Sequence, residues 1–301
     1  MNTDGKTKVI VTGASGLLGR QIYKALKANP QFEVLGLAFS RVSDGLSKLD
    51  LCDSKATEKF LSQAGADYII HAAAERRPDV SQKDPEATKR LNIQATQNIA
   101  DLAKKLGSGL CYISTDYVFD GKTPPYAVGS ETNPPNFYGE SKRAGELAVL
   151  DSFGDTALIL RIPVLFGPYE QIRESGVTAI IEDLGRESEL AADHWAIRYP
   201  TFTPDVAKAL QQILEHNVAN GEDTAINGIQ HFSGAEPFTR YEMAQVIAPL
   251  IESACQISPL AGPKPGEATR PKNCQLDCSQ LEHALGGLDR TSFKDAIASL
   301  L

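Results

Sequence analysis

The run Val9-Ile-Val-Thr-Gly-Ala-Ser-Gly-Leu-Leu-Gly19 constrains this chain more than any other stretch. Its apolar start, Lys8–Val11, reads as a buried strand. Glycines at 13, 16 and 19 then lead into a helical pattern that carries Ile22 and Leu26. Strand, tight turn and helix in that order make a seat for a dinucleotide phosphate. Gly13 permits the turn, Gly16 lets the backbone approach the pyrophosphate, and Gly19 lets helix and strand pack closely. The helix start adds free N–H groups and partial positive charge. The spacing is G-x-x-G-x-x-G rather than G-x-G-x-x-G, so a plain strand-to-helix connection is the competing reading.

Alternating strand and helix candidates follow. Phe32–Ala38, Tyr68–Ala73, Leu110–Thr115 and Ala157–Leu165 read as strands. The clearest helix runs from Pro85 to Leu106, with Asp84 as N-cap and Gly107 as its stop. Beyond Gly167-Pro168 the pattern loosens. Helices are expected near Val177–Leu184, Asp205–His216 and Thr239–Ile251, the last with a capping box from Thr239 and Glu242. Ser258–Lys272 holds four prolines and two glycines and reads as loop. The expected fold class is α/β: a Rossmann-type doubly wound parallel sheet with a smaller, mostly C-terminal lobe. The expected division is a cofactor-binding unit at 1–167, with 204–232 returning to it, and a lobe from 168–203 and 233–301. Six or seven strands fit the pattern.

Composition bounds the rest. The net charge of −8 argues against nucleic acid as the main partner. No apolar run approaches the ~20 residues that span a membrane. The polar start Met1-Asn-Thr-Asp-Gly does not read as a signal peptide. Five cysteines, at 52, 111, 255, 274 and 278, lack the paired spacing of a zinc site. Reduced thiols, a cytoplasmic location and no metal are the expectation.

A second constellation is Tyr138-Gly-Glu-Ser-Lys142. On a helix, i and i+4 share a face, so the phenol and the ammonium stand side by side. A cation near a phenol favours the phenolate and makes the hydroxyl a usable acid or base. A surface helix whose Tyr138 merely packs is the alternative. The strand before it ends in Ser114-Thr115-Asp116, where a hydroxyl can meet a substrate carbonyl or simply cap a turn. The second strand ends Leu37-Ala-Phe-Ser-Arg41 without the acid that would bind ribose hydroxyls. Arg41 can pair with a 2′-phosphate and Ser40 can donate to it, which favours NADP(H) over NAD(H). A solvated loop arginine is the competing reading of Arg41.

Together these motifs resemble the extended short-chain dehydrogenase/reductase superfamily over nearly the whole chain. The resemblance implies Tyr138 as proton donor, Lys142 as holder of the nicotinamide ribose and tuner of Tyr138, and Thr115 as the group that orients a carbonyl. It implies cofactor contacts from Gly13, Ser15, Gly16, Leu17, Leu18, Gly19, Phe39, Ser40, Arg41, Asp50, Leu51, Ala72, Arg76, Tyr138, Lys142 and Leu165. Asp50-Leu51 resembles the adenine-side pair, and the resemblance implies that Ala72 lines the nicotinamide side and that Arg76, just past it, can meet the pyrophosphate.

Longer strings narrow the resemblance. Glu75-Arg76-Arg77-Pro78-Asp79 and Asp193-His194-Trp195 are similar to the regulatory β subunits of methionine adenosyltransferase. Asp116-Tyr-Val-Phe-Asp-Gly121 and Arg270-Pro-Lys-Asn-Cys-Gln-Leu276 are shared with dTDP-4-dehydrorhamnose reductases. The first resemblance implies a non-catalytic subunit that binds NADP(H) and docks on the catalytic α subunit. Animal β subunits continue past the position of Leu301 into an aromatic, basic tail that engages the partner, whereas this sequence stops at Ser299-Leu300-Leu301. The second implies reduction of a 4-keto nucleotide sugar by Tyr138, Lys142 and Thr115. A module that senses NADP(H) without turnover is a third reading.

Overall fold

Successive side chains of a strand enter opposite faces of its sheet. Val9 and Val11 accordingly pack into one apolar layer and Ile10 into the other. The computed structural model, which describes residues 5–43, 45–221, 224–262 and 268–301, places these strands in a seven-stranded parallel sheet. In chain order the elements begin with β1 (Thr7–Thr12), α1 (Leu17–Ala28), β2 (Phe32–Ala38), β3 (Leu46–Lys48), α2 (Ser54–Ala64) and β4 (Tyr68–His71). Next come α3 (Pro78–Lys83), α4 (Pro85–Thr88), a π-helical segment (Lys89–Gln94), α5 (Ala95–Leu106), β5 (Gly109–Thr115) and α6 (Phe137–Phe153). They continue with β6 (Leu158–Ile162), β7 (Leu165–Phe166), α7 (Thr178–Arg186), β8 (Glu189–Asp193), β9 (Thr201–Phe202) and α8 (Thr203–Asn220). Last are β10 (Gly228–His231), α9 (Arg240–Leu250), β11 (Gln256–Leu260), α10 (Ser279–Leu285) and α11 (Phe293–Ala298).

The sheet order is β10-β6-β5-β4-β1-β2-β3. The order reverses between β1 and β4, so a crevice opens above the carboxyl ends of those two strands. Helices α1 and α8 cover one face: Ile22, Leu26, Val206, Leu210 and Ile213 join Val9, Val11 and Ile70. Helices α2, α5 and α6 cover the other, where Leu61, Ile99 and Val149 meet Ile10, Ile69 and Tyr112. Each fully buried side chain of this size contributes ~1.5–3 kcal/mol, so the two layers together hold the sheet rather than any single contact. A third cluster, Phe166, Ile180, Leu184, Met243, Ile247, Phe293 and Ile297, forms the core of the lobe beside the crevice. Among the described residues no helix is long and apolar enough to cross a membrane.

Several expected elements differ in detail. The helix over Pro85–Leu106 starts as read, with Asp84 accepting from the Ala87 N–H at 2.9 Å, but its Lys89–Gln94 turn is π-helical. The run Ala157–Leu165 is two strands, because Pro163 has no N–H to carry the ladder past Ile162. Its second piece, β7, pairs with β9 outside the main sheet. Strand β4 stops at His71 rather than Ala73, where the chain leaves the ladder to pass the Gly13 turn. Ser258–Leu260, expected as loop, is the end of β11 and pairs with β8. Pro259 is tolerated there because each strand of a two-stranded ribbon has one unpaired edge. Residues 263–267 of that expected loop lie outside the described residues.

Candidate functional site

The crevice is a cleft of about 1320 Å³, larger than the ~300–1,000 Å³ typical of a pocket for one small ligand. Its floor is the turn after β1. Gly13 has φ +67°, and a Cβ there would lie 2.8 Å from the Ala73 nitrogen. A Cβ on Gly19 would lie 2.1 Å from the Gly13 carbonyl oxygen. Both positions therefore exclude a side chain on steric grounds. Helix α1 starts at this turn with no side-chain cap and no acid in its first turn. Its first amides face the cleft as an uncapped helix end, which favours an anion. The cradle fits the pyrophosphate of a dinucleotide.

The structure brings the sequence-expected residues around this one cleft. Gly13, Ser15, Gly16, Leu17, Leu18 and Gly19 line it from the turn, and Phe39, Ser40 and Arg41 from the end of β2. Asp50 and Leu51 line it after β3, Ala72 and Arg76 after β4, and Leu165 from β7. Thr115, Tyr138 and Lys142 line the opposite part. Phe39 is an exposed aromatic at 58%, a flat face available beside the Ser40-Arg41 loop. Arg41 and Arg76 already have partners. Arg41 ion-pairs with Glu174 and lies 3.5 Å from Glu170, and Arg76 donates to the Glu174 carbonyl.

Helix α6 positions Tyr138 and Lys142. The Asn136 side chain accepts from the Gly139 N–H at 2.9 Å and fixes the helix start. Four residues apart, the two side chains enter the cleft together. The expected tuning differs. Lys142 Nζ donates to the Ile113 carbonyl at 2.7 Å and stands 4.0 Å from the centre of the Tyr112 ring. Burial pushes its ammonium down to about 7, with Glu146 opposing. Burial also holds the Tyr138 hydroxyl above its ordinary range, and a hydrogen bond with Thr115 brings it only part of the way back. The ammonium is engaged by a backbone carbonyl and a neighbouring ring, and desolvation dominates at the phenol.

Of the two readings of Thr115, the turn cap is present. Its hydroxyl accepts from the Tyr117 N–H at 3.2 Å, as a turn cap, and donates to Asp116 Oδ1 at 3.1 Å. Sequence reasoning also missed several cleft residues. Asp116 is buried, and that burial pushes its carboxyl up to about 7 beside Tyr138. It stands next to Thr115 in the quoted string and was legible there. Arg198 and Thr269 also line the cleft, beside Trp195 and Arg270 of the two strings named above. Asn92, buried in the π-helical turn, grips Glu75 from both sides, accepting from its N–H at 2.8 Å and donating to its carbonyl at 2.9 Å. It also donates to Ser141 at 3.0 Å and so ties the loop after β4 to α6.

Beneath the site lies a buried ion pair. Arg161 on β6 donates twice to the Glu146 carboxylate, each at 2.8 Å. Ser114 donates to the same carboxylate at 2.6 Å and Arg143 at 2.9 Å. Glu146 is the next α6 position after Lys142 on the face that carries Tyr138.

The family described as RmlD substrate binding domain matches residues 7–301. The chain is 40% identical over 296 residues to methionine adenosyltransferase 2 subunit beta of Xenopus tropicalis, covering 98% of this chain and 87% of that one. A crystal structure of a hypothetical dTDP-4-dehydrorhamnose reductase from Sulfolobus tokodaii superposes with TM-score 0.84 at 28% identity, covering 96% of this chain and 99% of that one. The reductase of Bacillus anthracis, solved in complex with NADP, superposes with TM-score 0.83 at 25% identity, covering 98% and 97%.

Proposed function

Because the chain belongs to the RmlD substrate binding domain family, we propose that it holds a nicotinamide dinucleotide in this cleft and acts as a regulatory β subunit of methionine adenosyltransferase. One observation carries the reading: 40% identity to such a subunit over 98% of the chain. In this reading the partner is the catalytic α subunit, which makes S-adenosylmethionine. The cofactor is NADP(H) in preference to NAD(H). Support comes from Arg41 at the end of β2, from the lack of a strand-end acid there, and from the NADP-bound relative. The glycine turn, with Ser15, Leu17 and Leu18, takes the pyrophosphate. Phe39, Ser40, Arg41, Asp50 and Leu51 take the adenosine side, and Ala72, Leu165, Tyr138 and Lys142 the nicotinamide side. Residues 1–167 with 204–232 form the cofactor unit and 168–203 with 233–301 the lobe, a division supported by the pairing of β10 with β6.

The test is direct. Mix the chain with the catalytic α subunit of the same source and run size exclusion at micromolar concentration, with and without NADP. Co-migration is the expected result. Separate elution under both conditions would overturn the partnership.

The grouping of Thr115, Tyr138 and Lys142 in one cleft favours a second reading, a reductase for a 4-keto nucleotide sugar. When bound, a reduced nicotinamide would supply the hydride that such a carbonyl carbon takes up. Tyr138 Oη would hold the proton for the carbonyl oxygen, so that one C–H and one O–H bond would form as the C=O π bond breaks. Thr115 holds that oxygen toward the phenol.

A further inference from the structure

On the phosphate side of the cleft stands a carboxylate that the proposed function does not use. Glu174 lies on the strap between β7 and α7, and its side chain is only 7% exposed. Arg20 donates to it at 2.6 Å from the first turns of α1, and Arg41 ion-pairs with it from the loop after β2. Arg20 also donates to the Ser15 carbonyl at 2.8 Å, which ties it to the glycine turn. Arg76 donates to the Glu174 carbonyl. Glu170 adds a second carboxylate, 3.4 Å from Arg20 and 3.5 Å from Arg41, and its N–H donates to Glu174 at 3.2 Å.

We propose that Glu174 sets the dinucleotide preference of the cleft by competing with a 2′-phosphate for Arg41. The inference rests on the nicotinamide reading above and deepens it. Arg20 and Arg41 meet Glu174 and Glu170 here, with Arg76 on the Glu174 backbone, so the Arg41 guanidinium is already paired with a carboxylate rather than standing free for a phosphate. A dinucleotide with a 2′-phosphate needs Arg41 and must take it from Glu174. A dinucleotide without that phosphate leaves the pair intact. Glu174 therefore weakens the phosphorylated form selectively and narrows the gap between the two cofactors.

The same exchange reaches the lobe. Ser175 donates to the Leu165 carbonyl at 2.7 Å, Arg240 of α9 donates to the Gly176 carbonyl at 2.9 Å, and α7 begins at Thr178. The strap is thus tied to both the cleft and the lobe. Release of Glu174 from Arg41 loosens one end while the other stays fixed.

The experiment uses the full chain with Glu174→Gln, which keeps shape and removes charge. NADPH and NADH are titrated by nicotinamide fluorescence. The expected result is an affinity for NADPH raised about tenfold, with NADH changed less than about twofold. Unchanged or weakened NADPH binding in the folded variant overturns the proposal. Hydrogen exchange of residues 169–177 in the unsubstituted chain gives a second readout that needs no variant. Faster exchange with NADPH than with NADH supports competition, and equal exchange overturns it. If the unsubstituted chain binds neither dinucleotide, the cofactor reading itself falls. If it binds both and Glu174→Gln changes nothing, only the role of Glu174 falls.

Discussion

Replacing Arg161 with Met leaves a buried carboxylate without its main counter-charge. Glu146 is fully buried, and Arg161 supplies two of its four hydrogen bonds. Ser114 remains, and so does Arg143, whose side chain is 26% exposed. Breaking a buried pair by removing one partner typically costs ~3–5 kcal/mol. The two surviving partners place this case near the lower end, about 3 kcal/mol. The pH dependence carries a definite sign. Burial alone raises the Glu146 carboxyl, but Arg161, with Ser114 and Arg143, carries it below the ordinary range. Its contribution is therefore present above the unfolded value of about 4.3 and lost as pH falls through the folded value. In Arg161→Met burial dominates, so the folded value rises above the unfolded one. The penalty is then full at alkaline pH and shrinks as the carboxyl takes up its proton. Urea denaturation at about pH 8 and about pH 5, read as a midpoint shift at constant slope, measures both effects. A loss below about 1 kcal/mol at the higher pH, or a loss that grows on acidification, would refute the reasoning.

Two further outcomes test the cleft. Arg41→Ala lowers NADPH affinity about tenfold and leaves NADH within about twofold, because only the 2′-phosphate loses a charge-assisted contact. Nicotinamide fluorescence reads both, and equal losses for the two cofactors would remove Arg41 as the discriminating residue. Tyr138→Phe keeps NADPH binding within about threefold but abolishes any NADPH-dependent reduction of a 4-keto nucleotide sugar. Undiminished turnover would remove Tyr138 as the proton donor.

Local chemistry made much of this fold legible. Val9, Ile10 and Val11 announced a strand buried on both faces, and the three glycines announced the turn. Thr239 and Glu242 form the capping box that their spacing implied. Tyr138 and Lys142 share a face because helical geometry leaves no other arrangement. Features set by distant partners were not legible. The π-helical turn at Lys89–Gln94 follows no local signal, and its Asn92 answers to Glu75 and Ser141. The ammonium of Lys142 is held by Ile113, which lies on another element. Glu174 is separated from Arg41 by 133 residues and from Arg20 by 154, so no window of sequence shows the bridge. The two-residue strands β7 and β9 carry too little pattern to stand out from loop.

The late return of the chain to its sheet bears on how the molecule is made. Strand β6 gains its outer neighbour only when Gly228–His231 arrives. One face of the sheet likewise waits for Val206, Leu210 and Ile213 of α8 to cover Val9, Val11 and Ile70. A nascent polypeptide or a fragment that stops near residue 167 would present a bare ladder and an open oily surface, both invitations to aggregate. The N-terminal half is therefore no independently excisable module, and any shorter version of it must carry α8 and β10 along.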